Sequence, residues 1–435
     1  MKKYISFIFL FITIISFNTV LANGITAKSN TVIAVDSDSN IILYSKNIDK
    51  KIYPASTTKI LTAIIAIENL DLGKSVVASK TAVSIPWDSS SIYLKEGEIM
   101  TVEELLYGLL LDSGNDAANV LAEAVSGNIT SFVDVMNKKA KEIGCTNTHF
   151  ANAHGYSNKN HYTTARDMAK IFSYCIKNET FVKIISTKRF IINETNKTKE
   201  KRYLFNTNRL IQTKEDSIYS RYYKYCVGGK TGYTDDAGRC LITFGKKDDK
   251  TVVIGVFGAN PGTLIDERYT DAINLFEYSF NNFNKIKIAD ANILHYTYIN
   301  MEKELSYSLY LKDDVNVLLK SKDDIEKVSY EINIIDSKLS NLSIDSSIQD
   351  IAVGNILFTL NLTNGETYTF NKDLYLNKIE TYSIITVNDV VDVIVIVLLI
   401  VLVLVICLII LITYLKRKSR KNMDNKISRR KLKKT

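Results

Sequence analysis

The chain of 435 residues is short of proline, tryptophan and histidine, with three, one and four of them respectively. The prolines are Pro54, Pro86 and Pro261, which excludes an LPxTG-type cell-wall sorting signal ahead of the hydrophobic run near the carboxyl end. The histidines form no HExxH pattern and have no cysteine at ligand spacing. The sequence therefore predicts neither a metal site nor a bound cofactor.

Cysteine is scarce as well. The five cysteines are too few and too scattered for a disulfide scaffold. Cys226 and Cys240 could approach each other across a hairpin, although free buried thiols are the favoured state, and Cys407 lies in a hydrophobic run. The overall composition, 46% hydrophobic and 23% charged, is typical of a folded protein and not of a disordered one.

The two ends of the chain both indicate a membrane. Residues 1–22 combine two lysines, an apolar run and small residues up to Ala22, which is the pattern of a cleaved secretory signal. An uncleaved anchor is the alternative, but the run is shorter than the roughly 20 residues that span a bilayer. Residues 393–415 carry no charge over 23 positions. As a helix they would be about 35 Å long, so we predict a transmembrane helix there.

The segment 416–435 that follows is strongly basic, with eleven Lys or Arg and one acid. The positive-inside rule therefore predicts a cytoplasmic tail and a single-pass protein of the cell membrane whose bulk lies outside the cell. The tail's net +10 and the two lysines at positions 2 and 3 account for more than the overall net charge of +8. About −4 is left for the exported part, so the basic balance does not indicate a nucleic-acid partner.

Short β-type runs at both ends of residues 23–285, with helices between them, predict one α/β (α+β) domain with an antiparallel sheet. The helix over 57–70 is apolar nearly all round, so we expect it in the middle of the domain. The predicted strands are 31–35, 41–44, 238–244 and 251–257, and the other predicted helices are 103–111, 116–125, 131–143 and 264–280.

From about residue 286 the pattern changes to β-type alternation, as in 328–335. Asn364 and Gly365 stand between the alternating runs 358–362 and 367–370, a strong signal for a hairpin. A smaller all-β domain is therefore predicted over 286–380, ahead of the transmembrane helix.

Three motifs suggest chemistry. Ser56 stands three residues before Lys59 at the start of the buried helix, so the two side chains share one helical face. A serine hydroxyl becomes a nucleophile when a neighbouring base takes its proton, and a lysine can do so when it is neutral. Lowering a lysine pKa from about 10.4 to about 7 or 8 requires roughly 4 kcal/mol of bias against the ammonium form.

The second motif is Ser113-Gly114-Asn115, a hydroxyl and an amide at a predicted helix start, which could relay a proton and hold a substrate amide. The same tripeptide recurs at 126–128, where it follows a helix and is interpreted as a structural cap. The third motif is Lys230-Thr231-Gly232, which could hold a carboxylate while glycine lets a ligand approach the strand edge. Each motif alone is weak, and each also fits a structural role.

Together, in this order, the motifs are the signature of penicillin-binding proteins and class A β-lactamases. The chain resembles the low-molecular-mass penicillin-binding proteins, which are serine-type D-alanyl-D-alanine carboxypeptidases, over roughly residues 25–380. This resemblance implies a penicillin-binding/serine β-lactamase-like fold for the first domain. The stretches that carry it are residues 54–59, 111–117, 154–155, 161–167, 230–234 and 237–238.

The resemblance also implies the partners and the roles at the site. Peptidoglycan stem peptides would be the substrate and β-lactam antibiotics the inhibitors. The oxyanion hole would consist of the backbone amides of Ser56 and Tyr233. The other implied roles are Ser56 as the nucleophile, Lys59 as its base, Ser113 in proton transfer to the leaving D-alanine, Asn115 on the peptide amide, and Lys230 with Thr231 on the terminal carboxylate beside Gly232.

Some features depart from the family pattern and keep alternatives open. Many relatives have histidine where Tyr233 stands, although only the backbone is needed there. A β-lactamase of class A would need a glutamate that activates water, and none can be placed in that role. A non-catalytic, penicillin-sensing membrane protein is the other alternative. His154 and His161 lie in a stretch of the resemblance, but their spacing favours loop structure over catalysis.

Overall fold

The computed structural model describes residues 25–262, 265–291, 295–300, 302, 304–339, 342, 351–381 and 387–431. The predicted signal segment 1–22, position 264 at the predicted start of the closing helix, and the last four residues of the basic tail lie outside this range.

The helices begin and end within a few residues of the predicted positions where a prediction was made. A short 3-10 helix at Ala55–Thr58 leads into the first of them. In chain order the helices are α1 Lys59–Asn69, α2 Lys80–Val83, α3 Val102–Leu110, α4 Asn115–Ser126, α5 Ile129–Glu142, α6 Ala165–Cys175, α7 Glu179–Ser186, α8 Glu267–Asn282, α9 Asp336–Leu339 and α10 Val387–Lys431.

The strands fall into an early group, a group of long strands after residue 225, and a carboxyl-terminal group. In chain order they are β1 Thr31–Asp36, β2 Ile42–Lys46, β3 Ser75–Val77, β4 Ile99–Thr101, β5 Arg189–Ile192, β6 Arg202–Phe205, β7 Cys226–Thr234, β8 Gly238–Lys247, β9 Lys250–Ala259, β10 Asn284–Ala289, β11 His295–Asn300, β12 Leu305–Tyr310, β13 Val315–Leu319, β14 Ile325–Ile334, β15 Ala352–Leu362 and β16 Thr367–Thr381.

The principal sheet has the order β2-β1-β9-β8-β7, and every neighbouring pair in it is antiparallel. Its strands come from both ends of the domain, because the early strand β1 pairs with β9. The predicted strands 31–35 and 41–44 form the hairpin β1/β2, and the predicted strands 238–244 and 251–257 form the hairpin β8/β9. The antiparallel sheet with intervening helices confirms the predicted fold class.

Helix α1 occupies the centre of the helical side, as its apolar sequence predicted. All residues from Lys59 to Ala66 are buried. The helix contacts α3, α4, α5, α6 and α7, and its apolar side chains belong to one large core. Because this part of the helix has no solvent face, any polar side chain on it must find its partners inside the protein.

The tripeptide at 126–128 has the structural role that was predicted for it. Gly127 ends α4 in the left-handed conformation with φ +77°. The side chain of Asn128 accepts a hydrogen bond from the Ser131 backbone and starts α5. The tripeptide thus caps two successive helices.

Strand β7 is the main difference from the predicted elements. No strand was predicted over this segment, whereas it forms the edge strand of the sheet itself. Its three glycines conceal the strand, because glycine is depleted in strands. The amphipathic helices α6 and α7 and the short strands β3 to β6 were also not predicted.

The chain divides into two compact units. One contains the residues up to Ile293 together with Asp313–Asn333 and Asn355–Lys372. The other contains Leu294–Lys312, Ile334–Gly354 and the chain from Asp373 onward. The boundaries predicted from the sequence, at 285 and 380, stay predictions.

The carboxyl-terminal region is rich in sheet, as predicted. In the first unit β10 pairs with β13, and in the second unit β11 pairs with β12, which pairs with the end of β16. The predicted turn is present, since Gly365 has φ +84° and its amide donates to the Leu362 carbonyl at 2.9 Å.

Helix α10 contains the predicted apolar run. Its stretch Ile394–Ser419 is 26 residues long and apolar enough to cross a membrane. The large hydrophobic side chains along this stretch are exposed in the chain by itself, for example Leu398 and Leu404. Such a continuous exposed apolar surface is what a lipid environment would cover.

Candidate active site

The sequence around Ser56 folds into a tight turn ahead of α1. Ala55 has φ +49°, which is uncommon for a residue with a side chain and costs about 1 to 3 kcal/mol. The turn is supported from one side by Gly155, whose φ is +88°. A β-carbon at Gly155 would overlap the Ala55 carbonyl oxygen, so only glycine fits there.

Lys59 is completely buried and points back at Ser56. Its Nζ donates to Ser56 Oγ at 2.9 Å, to Asn115 Oδ1 at 2.7 Å and to the His154 carbonyl oxygen at 2.8 Å. These three acceptors use all the hydrogens of an ammonium group. When the amine is neutral, one of these positions holds its lone pair, and the Ser56 hydroxyl is the one acceptor that can turn to donate.

The pKa of Lys59 lies well below its usual value. Burial is the largest cause, and the positive charge of Lys230 adds to it, while Asp116 opposes it. Desolvation penalises the charged form of a lysine, and a second cation nearby does the same. The amine is therefore set to act as a base toward Ser56.

The second motif brings a hydroxyl and an amide to the same place. Ser113 has φ +67°, and its buried Oγ has no hydrogen-bond partner among the described residues. Asn115 begins α4, accepts from Lys59 through its side chain, and donates its backbone N–H to the Ser90 carbonyl at 2.8 Å. An unpartnered buried hydroxyl carries a free-energy cost that a functional role would explain.

Lys230 is the other fully buried lysine, and it lies on β7. Burial lowers its pKa to about 7, with Arg268 acting in the same direction and Asp112 against it. Its Nζ donates to the Thr231 carbonyl at 3.2 Å. An anion entering the cleft beside it would favour the charged form of this lysine.

The rest of the third motif runs along the edge of the sheet. Thr231 Oγ1 donates to Thr207 Oγ1 at 2.6 Å. A β-carbon on Gly232 would lie 3.1 Å from the Ser56 backbone nitrogen, so glycine lets β7 pass close to the Ser56 turn. The Ser56 amide belongs to the first turn of a helix, and Tyr233 lies on an edge strand, the two settings in which backbone N–H groups stay free for a ligand.

These residues surround one cleft of about 620 Å³. The structure thus brings all eight predicted residues together, with Lys59 and Lys230 buried behind the surface that the other six help to form. The cleft is lined by Ser56, Asp88, Ser89, Ser90, Asp112, Ser113, Asn115, Gly155, Tyr156, Ser157, Thr207, Thr231, Gly232, Tyr233, Thr234, Asp235, Asp236 and Arg268.

Several residues of the site were not found from the sequence. Arg268 lines the cleft, and its Nη1 donates to the carbonyls of Gly232 at 3.5 Å and Cys240 at 3.2 Å. Asp112 opposes the lowering of the Lys230 pKa. Arg268 lies far along the chain from every motif, so no local signal indicated it, whereas Asp112 directly precedes Ser113.

The buried carboxylate of Asp116 holds one wall of the cleft in place. It accepts from the Ser91 hydroxyl at 2.6 Å and from the backbone of Ile92 at 3.1 Å and Leu94 at 3.0 Å. An ionised carboxylate with several donors rigidifies the segment that supplies them.

The same wall ends in a turn that carries the single tryptophan of the chain. Ser89 donates its backbone N–H to the Pro86 carbonyl at 3.1 Å, which closes the turn. Trp87 lies within it and is 96% exposed. The next residue, Asp88, lines the cleft and accepts from the Tyr156 hydroxyl at 3.2 Å.

The histidine rings serve the loop beside Ser56, in agreement with the predicted loop role. The Nδ1 of His154 accepts from the Tyr156 backbone at 3.2 Å, and only the carbonyl of His154 reaches Lys59. His161 Nε2 bonds Thr58 Oγ1 at 2.8 Å. Burial lowers the pKa of each imidazole to about 3, helped by the nearby charge of Lys59.

Comparison with known proteins identifies a family with these features. The family model described as D-alanyl-D-alanine carboxypeptidase, Peptidase_S11, matches residues 18–261. The D-alanyl-D-alanine carboxypeptidase DacF of Bacillus subtilis is 33% identical over 314 residues, which are 71% of this chain and 77% of that protein. The D-alanyl-D-alanine carboxypeptidase of Streptomyces sp. K15 is 33% identical over 260 residues, or 57% of this chain and 85% of its own.

Solved structures agree. Penicillin binding protein 5 from Haemophilus influenzae is similar over 82% of this chain and 99% of its own, with a TM-score of 0.57 and 25% identity. A variant of the Streptomyces K15 DD-transpeptidase covers 59% of this chain and 100% of its own, with a TM-score of 0.53 and 31% identity. The chain therefore belongs to the serine-type D-alanyl-D-alanine carboxypeptidase family.

Proposed function

We propose that this protein removes the terminal D-alanine from peptidoglycan stem pentapeptides through an acyl-enzyme on Ser56. The observation that carries the proposal is the fully buried Lys59, whose Nζ lies 2.9 Å from Ser56 Oγ at the floor of the cleft. A neutral amine at this distance can take the hydroxyl proton as the oxygen attacks a carbonyl carbon. The names of the relatives indicate the carbonyl, that of a D-alanyl-D-alanine peptide.

The reaction has an acylation step and a deacylation step, and Lys59 takes a proton in each. Ser56 Oγ attacks the carbonyl of the penultimate D-alanine, and its proton moves to Lys59 Nζ. The peptide C–N bond breaks as the Ser113 hydroxyl, which is buried and unpartnered among the described residues, gives its proton to the leaving nitrogen and takes in its place the proton that Lys59 received. D-Alanine leaves, and an ester remains on Ser56. Water attacks that ester and gives a proton to Lys59, which passes it to Ser56 Oγ as the ester C–O bond breaks, so that the serine and the neutral lysine are restored.

The remaining cleft residues hold the substrate. Lys230 and Thr231 take the terminal carboxylate, and Asn115 takes a peptide amide. Arg268 adds a second cation at the carboxylate end, because it reaches the Gly232 carbonyl at 3.5 Å. The backbone amides of Ser56 and Tyr233 form the oxyanion hole, with each aligned donor worth about 3 kcal/mol.

A β-lactam would acylate the same serine and stay, because its ring keeps the leaving nitrogen attached. The alternative of a class A β-lactamase requires a glutamate that activates water. Among the described residues that line the cleft, the carboxylates are all aspartates. The cleft thus favours slow release of the penicilloyl group over rapid hydrolysis.

The location follows from the two chain ends. We propose that residues 1–22 are a signal peptide, that the domains 23–285 and 286–380 lie outside the cell, and that the apolar part of α10, predicted over 393–415, crosses the membrane. The basic segment 416–435 would then lie in the cytoplasm by the positive-inside rule. The apolar stretch of 26 residues in α10 supports the crossing.

The direct test is release of D-alanine. Full-length protein in detergent, incubated with a muramyl pentapeptide, is expected to release one D-alanine per peptide, and Ser56→Ala to release none. Fluorescent penicillin should label the unaltered chain on Ser56 and leave Ser56→Ala unlabelled. Labelling of Ser56 without any D-alanine release would reject the carboxypeptidase and favour a penicillin sensor.

A further inference from the structure

His161 links the two segments that hold the reacting groups. Its Nδ1 accepts from the Ala151 backbone N–H at 3.0 Å, and its Nε2 lies 2.8 Å from Thr58 Oγ1. Since Nδ1 is an acceptor, the ring hydrogen of the neutral imidazole is on Nε2, which donates to the Thr58 hydroxyl. The ring is 1% exposed and packs edge-on against Phe150, with 5.4 Å between centroids.

One end of this link is the nucleophile turn. Thr58 is the last residue of the 3-10 helix that carries Ser56 and directly precedes Lys59. Its backbone is part of the turn in which Ala55 has a left-handed φ of +49°. Such a turn persists when the surroundings over-determine its geometry, and a buried hydrogen bond to its last residue contributes to that.

The other end of the link is the loop that holds the third partner of Lys59. Ala151 is three residues before His154, whose carbonyl accepts from Lys59 Nζ at 2.8 Å. The loop continues to Gly155, which lies against the Ala55 carbonyl. The imidazole thus links the loop to the nucleophile turn by hydrogen bonds to Ala151 and Thr58, and Lys59 links the same two segments at the cleft.

We propose that His161 is a positioning residue for the acylation step that is proposed above. It acts through Thr58 and Ala151 to fix the distances from Lys59 Nζ to Ser56 Oγ and to the His154 carbonyl oxygen. Near-attack geometry is sensitive to small displacements, and a shift of about 1 Å can cost on the order of 100-fold in rate.

The residue is suited to a fixed role because it does not change charge near neutral pH. Burial lowers its pKa to about 3, and the facing groups His149 and Lys59 act in the same direction. Since the ring is neutral on either side of pH 7, its donor and acceptor stay in place through the working range.

The test measures the second-order rate of Ser56 acylation by a fluorescent penicillin over a pH series, using full-length chain and active-site titration. His161→Leu removes both hydrogen bonds and is expected to lower the rate roughly 10- to 100-fold. The lower pH limb, set by Lys59, is expected to move upward, because a loosened loop admits water to the lysine. His161→Gln keeps one donor and one acceptor and should stay within about threefold of the unaltered rate.

His149 supplies the matched control. It lies in the same loop, but its Nδ1 contacts the Asn160 carbonyl at the surface, so His149→Leu should leave both the rate and the pH limb unchanged. Thr58→Val cuts the same link from the other side and should lower the rate in the same direction. The double variant His161→Leu/Thr58→Val should lose no more than the larger single loss.

Two outcomes would overturn the proposal. One is a His161→Leu variant whose acylation rate per active site and lower pH limb are both unaltered, even if the variant is less stable. A merely structural residue would give this result. If His161→Leu does not fold, an unaltered rate in Thr58→Val has the same meaning. Failure of the proposed function looks different, because it is the absence of D-alanine release by the unaltered chain, whatever the acylation rates of the His161 variants.

Discussion

Lys59 and Lys230 are two lysines that the fold withdraws from water, and the consequences differ because their neighbours differ. Lys59 is bonded to a hydroxyl, an amide oxygen and a carbonyl oxygen. Lys230 has Asp112 and Arg268 nearby and a cleft that can admit an anion. The positive charge of Lys230 disfavours the charged form of Lys59, so a bound carboxylate that offsets this charge should raise the pKa of Lys59 relative to the empty cleft.

Their roles predict unequal losses on substitution. Lys59→Ala should lower acylation by about 10²- to 10⁴-fold, because it removes the base. Lys230→Ala should weaken a substrate with a free terminal carboxylate about 10- to 100-fold, the loss expected when a buried charged group loses its partner. Kinetics with paired carboxylate and ester substrates measure this, and the ester should be little affected by Lys230→Ala. Equal, mild losses from both substitutions would break the assignment.

The pKa directions predict two limbs in the pH profile. Acylation should fall as the pH drops through the lowered pKa of Lys59, because the protonated amine takes no proton from Ser56. Above pH 7 Lys230 loses its charge, since its pKa is about 7, so KM for a carboxylate substrate should rise. A series of kcat and KM values against pH tests both limbs, and Lys230→Ala should lack the upper one. A KM independent of pH would contradict the role of Lys230.

At the scale of elements, the site is made where edge strand β7, the turn before α1 and the start of α4 come together. The sequence predicted α1 and α4 because each has a clear apolar pattern and a start signal. The motif residues were predicted from their residue types and their order along the chain. The sequence did not predict β7 as a strand or Arg268 as part of the site, because glycine content hides a strand and only tertiary packing brings α8 to the cleft.

Close packing of the loop against the turn predicts a contrast between two glycines. Gly155 and Gly127 both have positive φ, but a β-carbon at Gly155 would overlap Ala55, whereas Gly127 faces open space. Gly127→Ala should therefore cost about 1 to 2 kcal/mol, the conformational penalty alone. Gly155→Ala should destabilise the protein more and abolish penicillin labelling. Thermal unfolding and penicillin labelling compare the two variants. Equal decreases in Tm would contradict the prediction, because they would show that the turn at Ala55 can move to accommodate the added methyl group.

At the scale of the whole molecule, an acyl-transfer site and an apolar helix belong to one chain. The apolar stretch Ile394–Ser419 was predictable because its length and lack of charge are read directly from the sequence. The two compact units were not predictable in the same way, because they are interleaved along the chain and depend on which strands pair. A single boundary position in the sequence cannot describe two units whose segments alternate along the chain.

The apolar stretch of α10 leads us to expect that the protein stays in the membrane fraction when cells are fractionated. Full-length chain expressed in cells should stay with membranes after alkaline carbonate extraction, because an apolar span of this length is not released by pH or salt. A chain ending at residue 381 should move to the soluble fraction. Immunoblotting of the fractions measures this, and a full-length Lys230→Ala protein serves as a control that changes only the site. A truncated chain that remains in the membrane would contradict anchoring by α10.

Trp87 gives the protein a built-in optical reporter. It is the single indole in 435 residues, and it is 96% exposed on the turn whose next residue lines the cleft. Tryptophan emission from this chain therefore comes from one known position in contact with water, without a background from the core. A change in its colour or brightness when a ligand is added would report on the rim of the cleft, with no label attached and no product formed.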